Sequence, residues 1–332
     1  MGEIGSEFWN VPITDKNTQV FPESTQWYLS GRSALKAILK ELRQCQTAAL
    51  PSWCCDSMVK PFVDAGLEVR FYPVYWNNSL TQEVSLDSDV LLVMDYFGYT
   101  GRQPDLGKYR GTVIRDTTHS IISASYTDAD YYFGSLRKWC GFWTGGYVWS
   151  KDEHELASDA SDDFGYTVLR ERAMQLKDSY IHDLRDNEKA YLELFDRAEE
   201  TLERVGVLPA AERDVLLAQR LDVEFICKRR RTNAKVLMEA LKDWLIFPEL
   251  KSTDCPMFVP VLVPDGKRDR LRRYLIKNDI YCPIHWPVST YHKLTEKEQF
   301  IYDNELSLVC DQRYTETDMN RIVETINRFM EE

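Results

Sequence analysis

Apolar residues at positions 34, 35, 38, 39 and 42 recur with the helical period between Ser33 and Arg43, and Ser30-Gly31 stands ahead of them as a start signal. The run Ala48 to Leu50 ends in Pro51, which predicts a short strand and then a turn. A second helix is expected over 57–65, closed by Gly66, and a β-rich run follows from Glu68 to Val74. Val90 to Met94 and Thr112 to Ile114 are short apolar runs, as buried parallel strands require. Strand and helix in alternation predict an α/β sandwich around a mostly parallel sheet.

The texture changes after Lys151. Residues 152–163 hold six acidic side chains and no Lys or Arg, the pattern of an exposed loop. From Tyr166 to about Leu245 the pattern is helical, interrupted between Gly206 and Pro209. Within that stretch Lys228-Arg229-Arg230-Arg231 is expected to be a solvated helix face or a contact with a partner subunit. Strand then helix return over 257–263, 269–277 and 317–330. Two domains are therefore expected, a large one over 1–225 and a smaller α/β one over 226–332.

Composition narrows the function. Hydrophobic residues make up 44% of the 332 and charged residues 28%, which excludes a disordered or fibrous chain. The 41 Lys+Arg against 53 Asp+Glu give a net charge of −12, a sign that repels phosphate backbones, so nucleic acid is not an expected partner. Apolar stretches reach only about five residues, where a membrane span needs roughly twenty. Met1 to Ser6 has no basic or apolar leader pattern, and the expected location is the cytoplasm. The eight cysteines include no C-x-x-C pair, so they read as reduced thiols and no metal site is expected.

Three segments carry candidate chemistry. Lys138 lies between the aromatic run from Tyr131 and Gly145-Gly146, in apolar company. Desolvation there would favour the neutral amine that Schiff-base chemistry needs, although a lysine reaching to the surface explains the same residues. Asp116 follows Val113-Ile114-Arg115 at the end of an apolar strand, the edge where open α/β sheets bind ligands. There it could hold a protonated pyridine nitrogen, with His119 covering the ring or bonding its phenolic oxygen; a turn-capping Asp is the plain alternative. Ser30-Gly31-Arg32-Ser33 opens the first helix and could cradle a phosphate, or could be an ordinary N-cap. The three occur in the order that one cofactor would demand.

As a set, these segments resemble the fold-type-I pyridoxal-phosphate (PLP) enzymes, and within them the DegT/StrS-type sugar aminotransferases. The resemblance runs from Ile4-Gly-Ser-Glu-Phe8 to the end of the chain. Ser30-Gly-Arg-Ser-Ala-Leu35 is similar to the family's S-G-T-x-A-L phosphate loop, and Asp116 with His119 to its D-x-x-[HQ] element. Ser135 and Lys138, followed by Gly145-Gly146, resemble the segment with the phosphate-binding serine and the cofactor lysine. Cys282-Pro-Ile-His-Trp-Pro287 and Leu306-Ser-Leu-Val-Cys-Asp-Gln-Arg313 look like its P-x-H and L-S-L-P elements.

The resemblance implies a three-layer α/β/α sandwich with a smaller C-terminal α/β domain, and PLP as cofactor. Lys138, Asp116 and His119 would be catalytic. Gly31, Arg32, Ser33 and Ser135 would hold the phosphate, and Trp53, Cys55 or His119 would cover the ring. His285 and Arg313 would line the substrate side. It implies a homodimer that transfers an amino group from an amino acid such as glutamate to a keto sugar, nucleotide-linked, in polysaccharide or secondary-metabolite synthesis. Three departures stand out: Arg32 replaces a small residue, Cys55 replaces a ring-stacking aromatic, and no G-x-N-x-R element occurs between Lys151 and Lys189. The alternatives are other PLP chemistry, as in a lyase or a desulfurase using Cys54, Cys55 or Cys310, or a PLP-fold protein used for binding or regulation.

Overall fold

The computed structural model of the chain describes residues 2–84, 87–100, 104–123, 128–159, 162–183 and 188–332. The chain forms two compact units, one of residues 1–6, 45–128 and 223–332 and the other of residues 7–44 and 129–222. Both mix helices with strands, and the fold is α/β.

The first unit is framed by four parallel strands in the spatial order Thr112–Asp116, Val90–Met94, Thr47–Pro51 and Glu68–Tyr72. All five residues of Val90–Met94 are buried, so the strand has no polar alternation to show in sequence. The helix Asp56–Asp64 makes the crossover between two of these parallel strands. Met94 pairs with Asp116, which brings Asp95 and Asp116 to the same carboxyl edge. The later part of the unit is built on an antiparallel pair, Phe258–Leu262 with Glu305–Val309, and on the helices Val223–Ala240, Arg268–Lys277 and Glu316–Glu331. Among the described residues no helix is long and apolar enough to cross a membrane.

The basic run in Val223–Ala240 departs from expectation. Arg230 is buried, donating from Nε to Gln312 and from Nη1 to the Met257 carbonyl, both at 2.8 Å. Arg231 donates to the carbonyls of Lys251 and Asp254, each at 2.6 Å. The irregular segment 251–257 has carbonyls that no strand partner satisfies, and a guanidinium fork supplies several donors at once. Two of the four basic residues thus serve the interior of this unit.

The second unit has three antiparallel strands in the order Gln26–Tyr28, Gly146–Ser150, Tyr131–Ser135. The helix Gly31–Glu41 buries the apolar stripe read from its sequence, with Ala34, Leu35, Ile38 and Leu39 all inside. The helices Tyr166–Asp183, Tyr191–Thr201 and Glu212–Ala218 account for most of the long helical stretch. Leu29, Tyr166, Ala198 and Leu202 pack as one apolar cluster of this unit.

Candidate functional site

In the second unit, Gly31 and Ser135 meet. A Cβ on Gly31 would lie 3.3 Å from Cβ of Ser135, so glycine is what lets the helix start come this close to the strand end. Ser30 caps the helix by accepting from the Ser33 N–H at 3.1 Å, and the Ser33 hydroxyl donates to the Gly206 carbonyl at 2.8 Å. The Ser135 hydroxyl is different: it is buried and has no hydrogen-bond partner. An orphaned buried hydroxyl at a helix N-terminus is costly unless a ligand uses it, and an anion is the ligand that such a terminus favours.

Positive charge surrounds this corner. Arg137 donates to Glu199 at 2.5 Å, and Arg32 lies 3.7 Å from Glu199 and 3.4 Å from Glu203. Burial alone would raise the Glu199 carboxyl, but Arg137, Lys138 and Arg32 hold it down to about 2. Three cations therefore share a neighbourhood in which Glu199 is the strongly held anion. Arg32, expected on the phosphate, here points at Glu199 and Glu203.

Lys138 ends the short 3-10 turn Leu136–Lys138, and it is exposed. The apolar company seen in sequence belongs to its neighbours: Leu136 and Trp139 take the buried positions and the turn leaves Lys138 outside. The desolvation expected of this amine is thus absent from the chain alone. It is reachable by a carbonyl compound.

In the first unit, Asp116 is the last residue of its strand and only 4% exposed. Burial, with the nearby charge of Asp95 adding to it, pushes its carboxyl up to about 6, although the Thr118 hydroxyl and N–H both donate to it. Arg115, buried beside it, pairs with Asp95 at 2.7 Å and also with Asp128. His119 is buried too, its Nδ1 accepting from the Phe97 N–H at 3.4 Å. Trp286 lies over the His119 ring with centroids 5.7 Å apart, and His285 meets it edge-on at 5.5 Å. Trp53 is wholly buried, stacked on Tyr96, and donates from Nε1 to the His285 carbonyl at 2.7 Å. Cys55 precedes the helix Asp56–Asp64, with Sγ 2.9 Å from the Ser57 hydroxyl.

The structure thus gathers Asp116, His119, Trp53 and His285 in one unit, and Gly31, Ser33, Ser135 and Lys138 in the other. Arg313 grips both carboxylate oxygens of Asp311 and the Ser6 carbonyl. Of the cysteines a desulfurase would need, Cys54 and Cys310 are buried, and burial pushes the Cys54 thiol well up and the Cys310 thiol up to about 12. Neither is poised as a mobile thiolate. Sequence reasoning missed Phe97, Trp286 and Glu199. Phe97 and Trp286 touch His119 from distant segments, and only Trp286, inside the Cys282 to Pro287 motif, carried a signal.

No family model matches the chain, and no curated protein matches it in sequence. Solved structures do. A DegT DnrJ EryC1 StrS aminotransferase from Brucella abortus superposes with a TM-score of 0.61 at 15% identity, over 92% of this chain and 85% of that one. Spr1654 of Streptococcus pneumoniae, in its PLP form, gives 0.62 at 13% over 98% and 97%. The sugar aminotransferase CalS13 from Micromonospora echinospora gives 0.59 at 15% over 92% and 87%. The chain has the fold of the DegT/DnrJ/EryC1/StrS aminotransferases, the fold-type-I α/β architecture its motifs resemble.

Proposed function

We propose that this protein is a PLP-dependent aminotransferase that moves an amino group from an amino acid, glutamate in the simplest case, to a keto sugar. The observation that carries the reading is the buried, partnerless Ser135 hydroxyl against Gly31 at a helix start, a cradle built for a small anion. The other residues fit the same group. Gly31, Ser33 and Ser135 would hold the phosphate, with Arg32 available if it leaves its glutamates. Asp116 would hold the ring nitrogen protonated, the one place where its costly burial becomes an asset. His119, Trp53 or Cys55 would cover the ring.

When bound, PLP supplies an aldehyde for Schiff-base chemistry and an electron sink. Lys138 would give the amine for attachment and then move the proton between substrate carbon and cofactor. His285 would face the substrate. Under this reading residues 1–225 form the cofactor domain and 226–332 the small domain of a cytoplasmic homodimer. Phe164, Val168, Leu192 and Leu216 of the second unit are exposed and give a partner subunit apolar surface to cover. The partners are small molecules, a donor amino acid and a keto sugar, nucleotide-linked in the resembling family.

The test is spectroscopic. Purified protein given PLP should develop a visible absorption band that borohydride fixes covalently at Lys138, and glutamate should bleach the unreduced band. A protein that binds no PLP, or binds it without covalent attachment, overturns the reading.

A further inference from the structure

Glu305 opens the buried strand Glu305–Val309, and it is completely inaccessible to solvent. A strand sends alternate side chains to one face, so Glu305 and Ser307 point the same way. The segment before His285 lies along that strand, with the Ser307 N–H donating to the Pro283 carbonyl at 3.0 Å. The side chains then connect in series. Glu305 Oε1 is 2.5 Å from the Ser307 hydroxyl, and that hydroxyl is 2.8 Å from Nδ1 of His285. Glu305 Oε2 accepts the His285 backbone N–H at 2.8 Å, which leaves Oε1 as the oxygen that can carry a proton.

A serine hydroxyl has one proton, so it donates in one direction at a time. If Glu305 is a neutral acid, it donates to Ser307 and Ser307 donates to Nδ1; the imidazole proton then sits on Nε2. If Glu305 is a carboxylate, Ser307 donates to it and accepts from Nδ1–H; Nε2 is then a lone-pair acceptor. We propose that Glu305, Ser307 and His285 form a proton relay in which the state of Glu305 sets whether Nε2 of His285 donates or accepts a hydrogen bond. Geometry fixes the wiring, and burial sets the resting state, since it pushes the Glu305 carboxyl up to about 8. At neutral pH the relay rests loaded, with Nε2 as donor.

This inference rests on the aminotransferase reading for its use, and deepens it. When an amino group replaces a carbonyl oxygen, that oxygen must leave as water. His285 would pass the Nε2 proton to the departing oxygen while Nδ1 takes the proton of Ser307 and Ser307 takes that of Glu305. The imidazole stays neutral throughout, and the proton shed by the incoming nitrogen reloads the chain by the reverse path.

Among the described residues, the following titratable groups face the relay. Arg268 donates to the Glu305 carbonyl oxygen at 3.0 Å. Burial pushes the Cys282 thiol up to about 12, so it stays neutral. The His119 ring also lies nearby, its centroid 5.5 Å from that of His285.

The experiment is a pH titration of protein with labelled imidazole nitrogens and no cofactor added, followed by NMR, with His285 and His119 assigned from His285→Gln and His119→Gln. Wild type should show the Nε2–H tautomer in the neutral imidazole of His285 below about pH 8 and convert to Nδ1–H as pH rises through that value, where Glu305 ionises. Glu305→Gln, whose amide oxygen keeps the His285 N–H so that its NH2 donates to Ser307, should hold the Nε2–H tautomer across the range. Ser307→Ala should remove the conversion, and Ser307→Thr should restore it. Persistence of the conversion in Glu305→Gln, or its absence in wild type, overturns the relay. Because no cofactor is present, failure here is separable from failure of the aminotransferase reading, which borohydride fixation decides.

Discussion

Gly31 and Ser135 approach so closely that a methyl group on the glycine would touch the serine Cβ at 3.3 Å, and the serine hydroxyl beside that contact has no partner. A hydroxyl that bonds nothing in the chain can be removed without loss to the fold. Ser135→Ala should therefore leave the melting temperature unchanged or slightly raised, while PLP affinity falls by about tenfold or more, the worth of a charge-assisted hydrogen bond. Paired thermal melts and equilibrium dialysis check this. A variant that loses stability and keeps affinity would show the hydroxyl to be structural.

Asp116→Asn tests the buried carboxyl. Raising a carboxyl from its ordinary 3.8 to about 6 corresponds to about 3 kcal/mol of penalty on the charged form. The folded chain holds the proton longer than the unfolded one, so wild-type stability is highest below the unfolded value and falls as pH rises through about 6. The cofactor-free variant should exceed wild type in urea unfolding at neutral pH by up to that amount, and the gap should close near about pH 4. The same change should slow the half-reaction with the amino donor by orders of magnitude, because the ring nitrogen loses its counter-charge.

Lys138→Ala should abolish borohydride-fixed cofactor with little effect on folding. The side chain is exposed, so the expected change in stability is within about 0.5 kcal/mol. Peptide mapping after reduction identifies the modified residue; a label on any other lysine refutes the assignment.

Gly98 should not tolerate a side chain. Its φ is +80°, and a Cβ there would meet the Cys255 carbonyl oxygen at 2.0 Å and the His119 carbonyl oxygen at 3.0 Å. Gly98→Ala is expected to cost about 2 kcal/mol or more and to disturb the His119 ring signals in NMR.

Sedimentation of the loaded protein at micromolar concentration should give a dimer burying about 2,000 Å² or more. Full activity in a species that sediments as a monomer would remove the partner subunit from the proposal.

Much of the fold was legible because its signals are local. The stripe of Gly31–Glu41 and the unbroken Val90–Met94 each state their element within a few residues, and Asp116 could be placed at a strand end by the apolar residues before it. Other features depend on chain segments far apart. Nothing near Ser135 announces that its hydroxyl lacks a partner, and nothing near His119 announces Trp286. For Lys138 the sequence left a desolvated and a surface amine both open, and the tight turn, which sends adjacent side chains in different directions, leaves it exposed. Glu305 reads as one more polar residue after Asp303 and Asn304 until the Pro283 pairing puts His285 beside it.

The Lys228 to Arg231 quartet ends up as a warning about chromatography. Arg230 spends its guanidinium on Gln312 and the Pro256 and Met257 carbonyls, and Arg231 spends part of its own on Lys251 and Asp254. A heparin column or a phosphocellulose resin would thus meet far less basic surface than four consecutive cations promise. Of the four, Lys228 and Arg229 are left to meet such a matrix.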